Sequence, residues 1–282
     1  MVKTRKQKAR KPDISDVRKR IDEVDRKIQA LISERARFAQ QIGISKGKMA
    51  QAVDYYRPER EAEVLRSVLE RNDGPLRDEE MLRLFREIMS ACLAQQEPLK
   101  IGFLGPEGTF TQTAVFKHFG HSVRALPFHT IDEVFQEVEC GAADFGVVPI
   151  ENSTEGFVNN TLDMFLTSPL KITGEIELKI EQHLMGKMAG LENIERICAH
   201  EQSLAQCRGW LREYLPHVEL IGMSSNAAGA RRARDEDGTA AIGPEVAADV
   251  YQLKIMVNSI EDRPDNATRF LVVGRQLLAA SG

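Results

Sequence analysis

The spacing of apolar residues divides this chain into two regimes. From Asp13 to Gln96 apolar positions recur every three or four residues, the period of helices with one buried face. Ile14, Val17, Ile21, Val24, Ile28 and Leu31 form a long seam at coiled-coil spacing. Asp13 or Ser15 can cap its start, and Gly43 and Gly47 weaken its far end. Arg57-Pro58-Glu59 opens a second helix, since proline suits the first turn, and Asn72-Asp73-Gly74-Pro75 stops it. Val64, Leu65, Val68 and Leu69 are its apolar face. A third helix begins near Asp78, buries Leu82, Phe85, Ile88, Met89 and Cys92, and ends before Pro98. Residues 13–97 are therefore expected to be all-α. One long helix and two short ones leave much of the seam uncovered, which predicts a homodimer through the long helix.

From Leu99 the period changes. Lys100–Leu104, Val123–Phe128 and Phe145–Ile150 are short apolar runs, expected as strands. Between them lie a helix capped by Thr109 or Thr111 and one from Thr130 to Cys140, with Val134, Phe135 and Val138 inward. This βαβαβ order predicts α/β structure with mostly parallel pairing. A second series follows. Ile172–Ile180, His183–Gly186, Ile194–Ala199, Val218–Met223 and Ala240–Ile242 are expected to be extended, with helices at His200–Leu215, from Asn226 and at Glu245–Leu253. A last strand, Thr268–Val273, is free to return to the first series. Residues 98–282 thus form a two-lobed α/β domain with a cleft, a common place for a small-molecule site.

Composition narrows the function. The chain has 282 residues, 42% hydrophobic, with a net charge of −4, so no global charge favours nucleic acid. No apolar run approaches the ~20 residues of a membrane helix. Cys92, Cys140, Cys198 and Cys207 are scattered, as expected of thiols in a reducing, cytoplasmic compartment. Neither they nor the six histidines form a ligand-spaced cluster, and no metal or cofactor is expected. Residues 1–12 are basic and are expected to be a solvated arm.

Some cations of the helical region fall beside the seam. Arg35 and Lys46 lie about three turns apart and share a face, and cations turned toward a core need an anion. Arg18 precedes Arg35 by about 25 Å along the axis, beyond the reach of one small ligand, so a shared ligand implies an antiparallel second chain. The string Val17-Arg18-x-x-Ile21-Asp22-x-x-Asp25, Glu34-Arg35, Lys46, Arg60-Glu61 and Gln96 resembles the all-helical chorismate mutases. The resemblance implies that Arg18 of the partner, Arg35 and Arg60 hold two carboxylates, that Lys46 and Gln96 face the breaking ether oxygen, and that Glu61 meets the ring hydroxyl. Arg57 stands where some relatives have an acid, and Cys92 where some have serine. A glutamine at position 96 donates at any pH, so the mutase reaction should not require acid.

The α/β region carries no nucleotide or hydrolase signature. Gly105-Pro-Glu-Gly108 lacks the Gly-Lys-Ser/Thr ending of a phosphate loop, and Ser153 lacks a glycine-flanked elbow. Five segments instead resemble prephenate dehydratase: Gly105-Pro-Glu-Gly-Thr-Phe-Thr111, Val148-Pro-Ile-Glu-Asn-Ser153, His200 with Gln206-Cys207, Ser225-Asn-Ala-Ala228 and Asn266-Ala-Thr-Arg-Phe270. That family has two lobes like a type II periplasmic binding protein. The resemblance implies that Thr268 donates to the leaving hydroxyl of prephenate, that Thr111, Asn152, Ser153 and Gln206 bind substrate, and that Arg269 either binds a carboxylate or forms a structural ion pair. Such relatives usually continue into an ACT domain that binds phenylalanine. Arg275–Gly282 is too short for one, so little phenylalanine inhibition is expected of the chain as given.

The reading is thus a bifunctional enzyme acting on chorismate and then prephenate. The alternative is a two-lobed sensor of a small acid, dimerised by its helices. Cations beside the seam disfavour it, because a pure dimerisation helix gains nothing from them.

Overall fold

The computed structural model describes residues 13–46, 56–154 and 156–276. The expected basic arm lies outside the described residues. The chain divides into two compact units, Met1–Ala50 and Gln51–Gly282.

The described part of the first unit is one helix, α1 (Ile14–Lys46). Asp13 Oδ1 accepts from the Ser15 amide at 3.0 Å at its start, and the helix runs on through Gly43. The predicted seam is on its surface: Ile14 is 69% and Leu31 63% exposed.

The second unit begins with α2 (Pro58–Glu70) and α3 (Asp78–Ala94), which pack around Val68 and Cys92. Its first sheet is built from β1 (Lys100–Leu104), β2 (Arg124–Phe128), β3 (Phe145–Asn152) and β5 (Lys171–Lys179), together with β11 (Ala267–Gly274). The order is β2-β1-β3-β11-β5, and a short β4 (Gly156–Phe157) pairs with β3. β1, β2 and β3 run parallel, while β11 is antiparallel to both neighbours. Both faces of this sheet are covered, which is why β1 and β3 read as nearly continuous apolar runs. On one face α4 (Phe110–Phe119) packs Ala114, Val115 and Phe119 against Ile101, Phe103, Phe270 and Val272. On the other, α5 (Ile131–Glu139) packs Val134, Phe135 and Val138 against Val148, Ile150, Leu271 and Val273, with α6 (Asn159–Thr167) beside it. Thr130 caps α5 by accepting from the Glu133 amide at 3.1 Å.

The second sheet has the order β10-β6-β9-β7-β8, from β6 (His183–Gly186), β7 (Arg196–His200), β8 (Glu219–Met223), β9 (Thr239–Gly243) and β10 (Lys254–Val257). Its helices are α7 (Glu201–Gln206), α8 (Arg208–Tyr214), α9 (Asn226–Asp235) and α10 (Glu245–Tyr251). The single helix expected over 200–215 is broken at Cys207, and α6 and β10 were not foreseen. The chain leaves the first lobe after β5 and returns as β11, inserted between β3 and β5 as its free end allowed. The two crossing segments are stitched together: Ile180 N donates to Asn266 O at 2.9 Å and Ile260 N to Gln182 O at 2.8 Å.

The helical pair is not separated from the lobes by a gap in packing. Arg86 Nη1 donates to the Lys117 carbonyl at 2.9 Å, and Glu87 takes both the amide and Nδ1 of His121. The division between compact units falls at Ala50.

Candidate active site

The ends of β3 and β11 bring distant residues side by side. The register pairs Thr268 with Asn152 and Arg269 with Glu151, but Phe270 with Pro149. Ile150 is left without an opposite partner, so β3 carries a bulge there. Its effect is on direction. Strict alternation would put Asn152 on the face of Val148 and Ile150, under α5. The bulge turns it instead to the face of Thr268, Leu178 and Phe270.

On that face Asn152 Nδ2 donates to Thr268 Oγ1 at 2.7 Å. Asn152 Oδ1 accepts from the Thr154 amide at 2.9 Å and from Thr154 Oγ1 at 2.6 Å. Those two bonds fix which end of the amide faces Thr268. The Thr268 oxygen therefore accepts, and its own proton is directed elsewhere. Thr268 is 8% exposed. A neutral, buried hydroxyl with a fixed orientation suits donation to an oxygen of a bound molecule.

The opposite face is charged. Arg269 meets Glu151 at 2.8 Å and Glu175 at 2.6 Å. Its hydrogen bonds to Glu175 and then Glu151, which accept, push its pKa up further, and the Glu175 carboxyl is held below its ordinary value by Arg269. Of the two readings of Arg269, the geometry resembles the structural ion pair: consecutive strand residues face opposite ways, and its guanidinium is engaged by two carboxylates. Ser153 joins the two strands. Its hydroxyl donates to Asn266 Oδ1 at 2.9 Å and accepts from the Ala267 amide at 3.0 Å, so it ties the end of β3 to the start of β11.

Thr111 is buried in the first turn of α4, below the glycine turn. Gly108 has φ +83°, and a side chain there would meet Tyr251 Cε2 at 2.9 Å, so only glycine allows this close passage. Tyr251, from the other lobe, donates to the Glu107 carbonyl at 3.2 Å. In the second lobe Gln206 Oε1 accepts from Gln182 Nε2 at 2.9 Å. Ser225 caps α9 through the Ala228 amide, and Asn226 Oδ1 accepts from the His200 amide at 2.9 Å. The Ser-Asn-Ala-Ala motif is thus a cap plus a clamp on the next strand end. Gln182, Ser203, Asn226 and Asn266 were not picked out as site residues. Gln182 carries no distinguishing signal, since it stands between Glu181 and His183 in a polar stretch.

The helical candidates are spread over both units. On α1, Arg18 is exposed and Arg35 half-buried; the Lys46 side chain lies outside the described residues. On α2, Arg57 is exposed and Arg60 pairs with Glu63 at 2.7 Å. Glu61 is half-buried, 3.7 Å from Arg86 Nε and hydrogen-bonded to Tyr56. Burial pushes its carboxyl pKa up, against the pull of Arg86. Cys92 is buried on α3, and Gln96 follows the end of that helix.

Known proteins separate these two regions in the same order. The family model described as chorismate mutase type II matches residues 17–97, and that described as prephenate dehydratase matches residues 101–277. The bifunctional chorismate mutase/prephenate dehydratase of Pseudomonas aeruginosa is 53% identical over 94% of this chain and 74% of its own. That of Aquifex aeolicus is 42% identical over 96% of this chain and 75% of its own.

The chain belongs to the bifunctional chorismate mutase/prephenate dehydratase family.

It rearranges chorismate to prephenate, and converts prephenate to phenylpyruvate with loss of carbon dioxide and water, steps of phenylalanine biosynthesis. The dehydratase part resembles the crystal structure of prephenate dehydratase from Arthrobacter aurescens in complex with L-Phe, at 34% identity and a TM-score of 0.59, over 64% of this chain and 61% of that one. A structure titled GqqA, a novel type of quorum quenching acylases, fits almost as well, with a TM-score of 0.58 at 26% identity over 64% of this chain and 65% of that one. Fold alone therefore does not decide the dehydratase reaction; the residues at the strand ends must. Among the described residues no helix is long and apolar enough to cross a membrane.

Proposed function

We propose that the dehydratase reaction takes place at the Thr268 face of the β3–β11 pair. The observation that carries this is the 2.7 Å bond from Asn152 Nδ2 to Thr268 Oγ1, which orients the hydroxyl as a donor. Prephenate holds a carboxylate and a hydroxyl across one ring. The bond to the carboxylate carbon breaks, its electron pair enters the ring, and the hydroxyl leaves with its own bonding pair. One proton from solvent completes the water, and the ring becomes aromatic. The protein need only favour departure of the hydroxyl. The Thr268 O–H hydrogen-bonds to it as negative charge grows there, inside a site where a fixed donor is worth more than water. Asn152 strengthens that donor by bonding to the same oxygen.

The mutase reaction needs no base or nucleophile. Arg18 of a second copy, Arg35 and Arg60 hold the two carboxylates, and Lys46 and Gln96 stabilise charge on the ether oxygen. The exposed seam of α1 supports a homodimer, in which both ends of that helix can serve one ligand. Residues 13–97 are the mutase part and 98–282 the dehydratase part, in a cytoplasmic enzyme.

Thr268→Ala and Thr268→Ser test the assignment. The alanine variant should lose at least about 100-fold in dehydratase kcat, while serine, which keeps the donor, stays within about tenfold of wild type. An alanine variant with near-normal kcat removes Thr268 from the reaction.

A further inference from the structure

The second lobe contains a chain of hydrogen bonds whose direction can be followed end to end. The His200 amide donates to Asn226 Oδ1, which leaves Asn226 Nδ2 to donate to Ser203 Oγ at 2.8 Å. Gln182 Nε2 donates to the same Ser203 oxygen at 3.1 Å and to Gln206 Oε1 at 2.9 Å. Gln182 is 1% exposed, and its Oε1 is buried with no hydrogen-bond partner among the described residues. With Gln206 placed as it is, turning the Gln182 amide over would set that oxygen against the Gln206 oxygen.

Two consequences follow from counting donors and acceptors. The Ser203 oxygen already accepts twice, so both lone pairs are occupied and its proton must serve an outside acceptor. The Gln206 oxygen is occupied from within, so its amino group faces outward. Neither Ser203 Oγ–H nor Gln206 Nε2 has a hydrogen-bond acceptor among the described residues. Both lie on α7, one turn apart. One buried amide thus sets two neighbouring side chains to present hydrogen rather than oxygen.

We propose that Gln182 is a positioning residue for prephenate, and that the donor pair it orients, Ser203 and Gln206, receives a substrate carboxylate. This rests on the dehydratase site lying in the cleft beside Thr268. It supplies the anion contact that Arg269, turned to the far face, does not.

Gln182→Glu reverses the polarity at nearly constant shape. Its carboxylate can only accept, so it draws the Ser203 proton and the Gln206 amino group inward. Gln182→Met keeps the volume and removes both bonds. With prephenate as substrate, Q182E should raise KM about tenfold or more, with kcat within about threefold, and Q182M should raise it less. Thermal unfolding of Q182M identifies any general loss of packing. Gln206→Glu makes the same test from the partly exposed side without entering the core, and should also raise KM about tenfold. Unchanged KM in Q206E, or in a folded Q182E, overturns the proposal. A T268A variant of normal rate would instead overturn the placement of the site itself, so the two failures are distinct.

Discussion

The two faces of the sheet where β3 meets β11 make opposite use of the same strands. On one face Thr268 and Asn152 form a neutral pair, largely withdrawn from water, each side chain oriented by a bond to its neighbour. On the other face Arg269, Glu151 and Glu175 form a charged triad in which the arginine is 48% exposed. The charged face has the larger electrostatic terms, but water screens them, and such pairs contribute little to stability. The neutral face has only short dipoles, but they are fixed before substrate arrives, which favours catalysis. Under the proposed assignment the conspicuous ion pair supports the sheet, and the chemistry falls to the inconspicuous amide–hydroxyl pair.

That contrast can be broken most strongly at Asn152. In Asn152→Asp the carboxylate keeps the two Thr154 donors but cannot donate to Thr268. It accepts the threonine proton instead and turns the hydroxyl away from substrate. Dehydratase kcat should fall about 10–100-fold with little change in melting temperature. A variant with unchanged kcat would mean that the orientation of Thr268 does not matter.

Across the sheet, Arg269→Gln should leave dehydratase KM within about threefold and lower Tm by only about 2–4 °C. A KM raised tenfold or more would return Arg269 to the substrate site.

Changing pH sharpens the same comparison without mutation. Thr268, Asn152, Ser203, Gln206 and Gln182 are neutral at all ordinary pH, so dehydratase kcat should vary less than about threefold between about pH 6 and 9. A steep bell would require a titrating group in the step. The charged face should respond in acid. Glu175 has its carboxyl pKa held below the unfolded value by Arg269. Its contribution is present above the ordinary carboxylate range and is lost as pH falls through the depressed value, because the unfolded chain binds the proton first. The acid-induced drop in Tm should therefore be slightly smaller in R269Q than in wild type, and an identical drop would remove that linkage.

Much of this arrangement was legible in the sequence. The periodicity change at Leu99, the strand from Phe145 that runs into the polar segment at Glu151 and the possible return of the last strand all follow from local pattern. Even the diversion of Arg269 was implicit, since Thr268 and Arg269 are consecutive in a strand and cannot share a face. Other features depended on pairing between distant segments. Asn152 and Thr268 are 116 residues apart, and the bulge that turns Asn152 toward Thr268 appears only in the register with β11. Gln182 sits on a crossing segment with no motif of its own, and its role arises from three partners on other elements. The break at Cys207 was hidden because the apolar period of α7 continues into α8 across the interruption. In the helical region the seam and the cations were visible, and the proposed sharing of a site between two copies draws on residues of a second chain.

The most direct test gives chorismate to wild type and to Thr268→Ala, and follows chorismate, prephenate and phenylpyruvate together. The variant should consume chorismate at the wild-type rate and accumulate prephenate, while phenylpyruvate formation falls at least about 100-fold. Phenylpyruvate appearing at the wild-type rate, or equal loss of both activities, would contradict the assignment to Thr268.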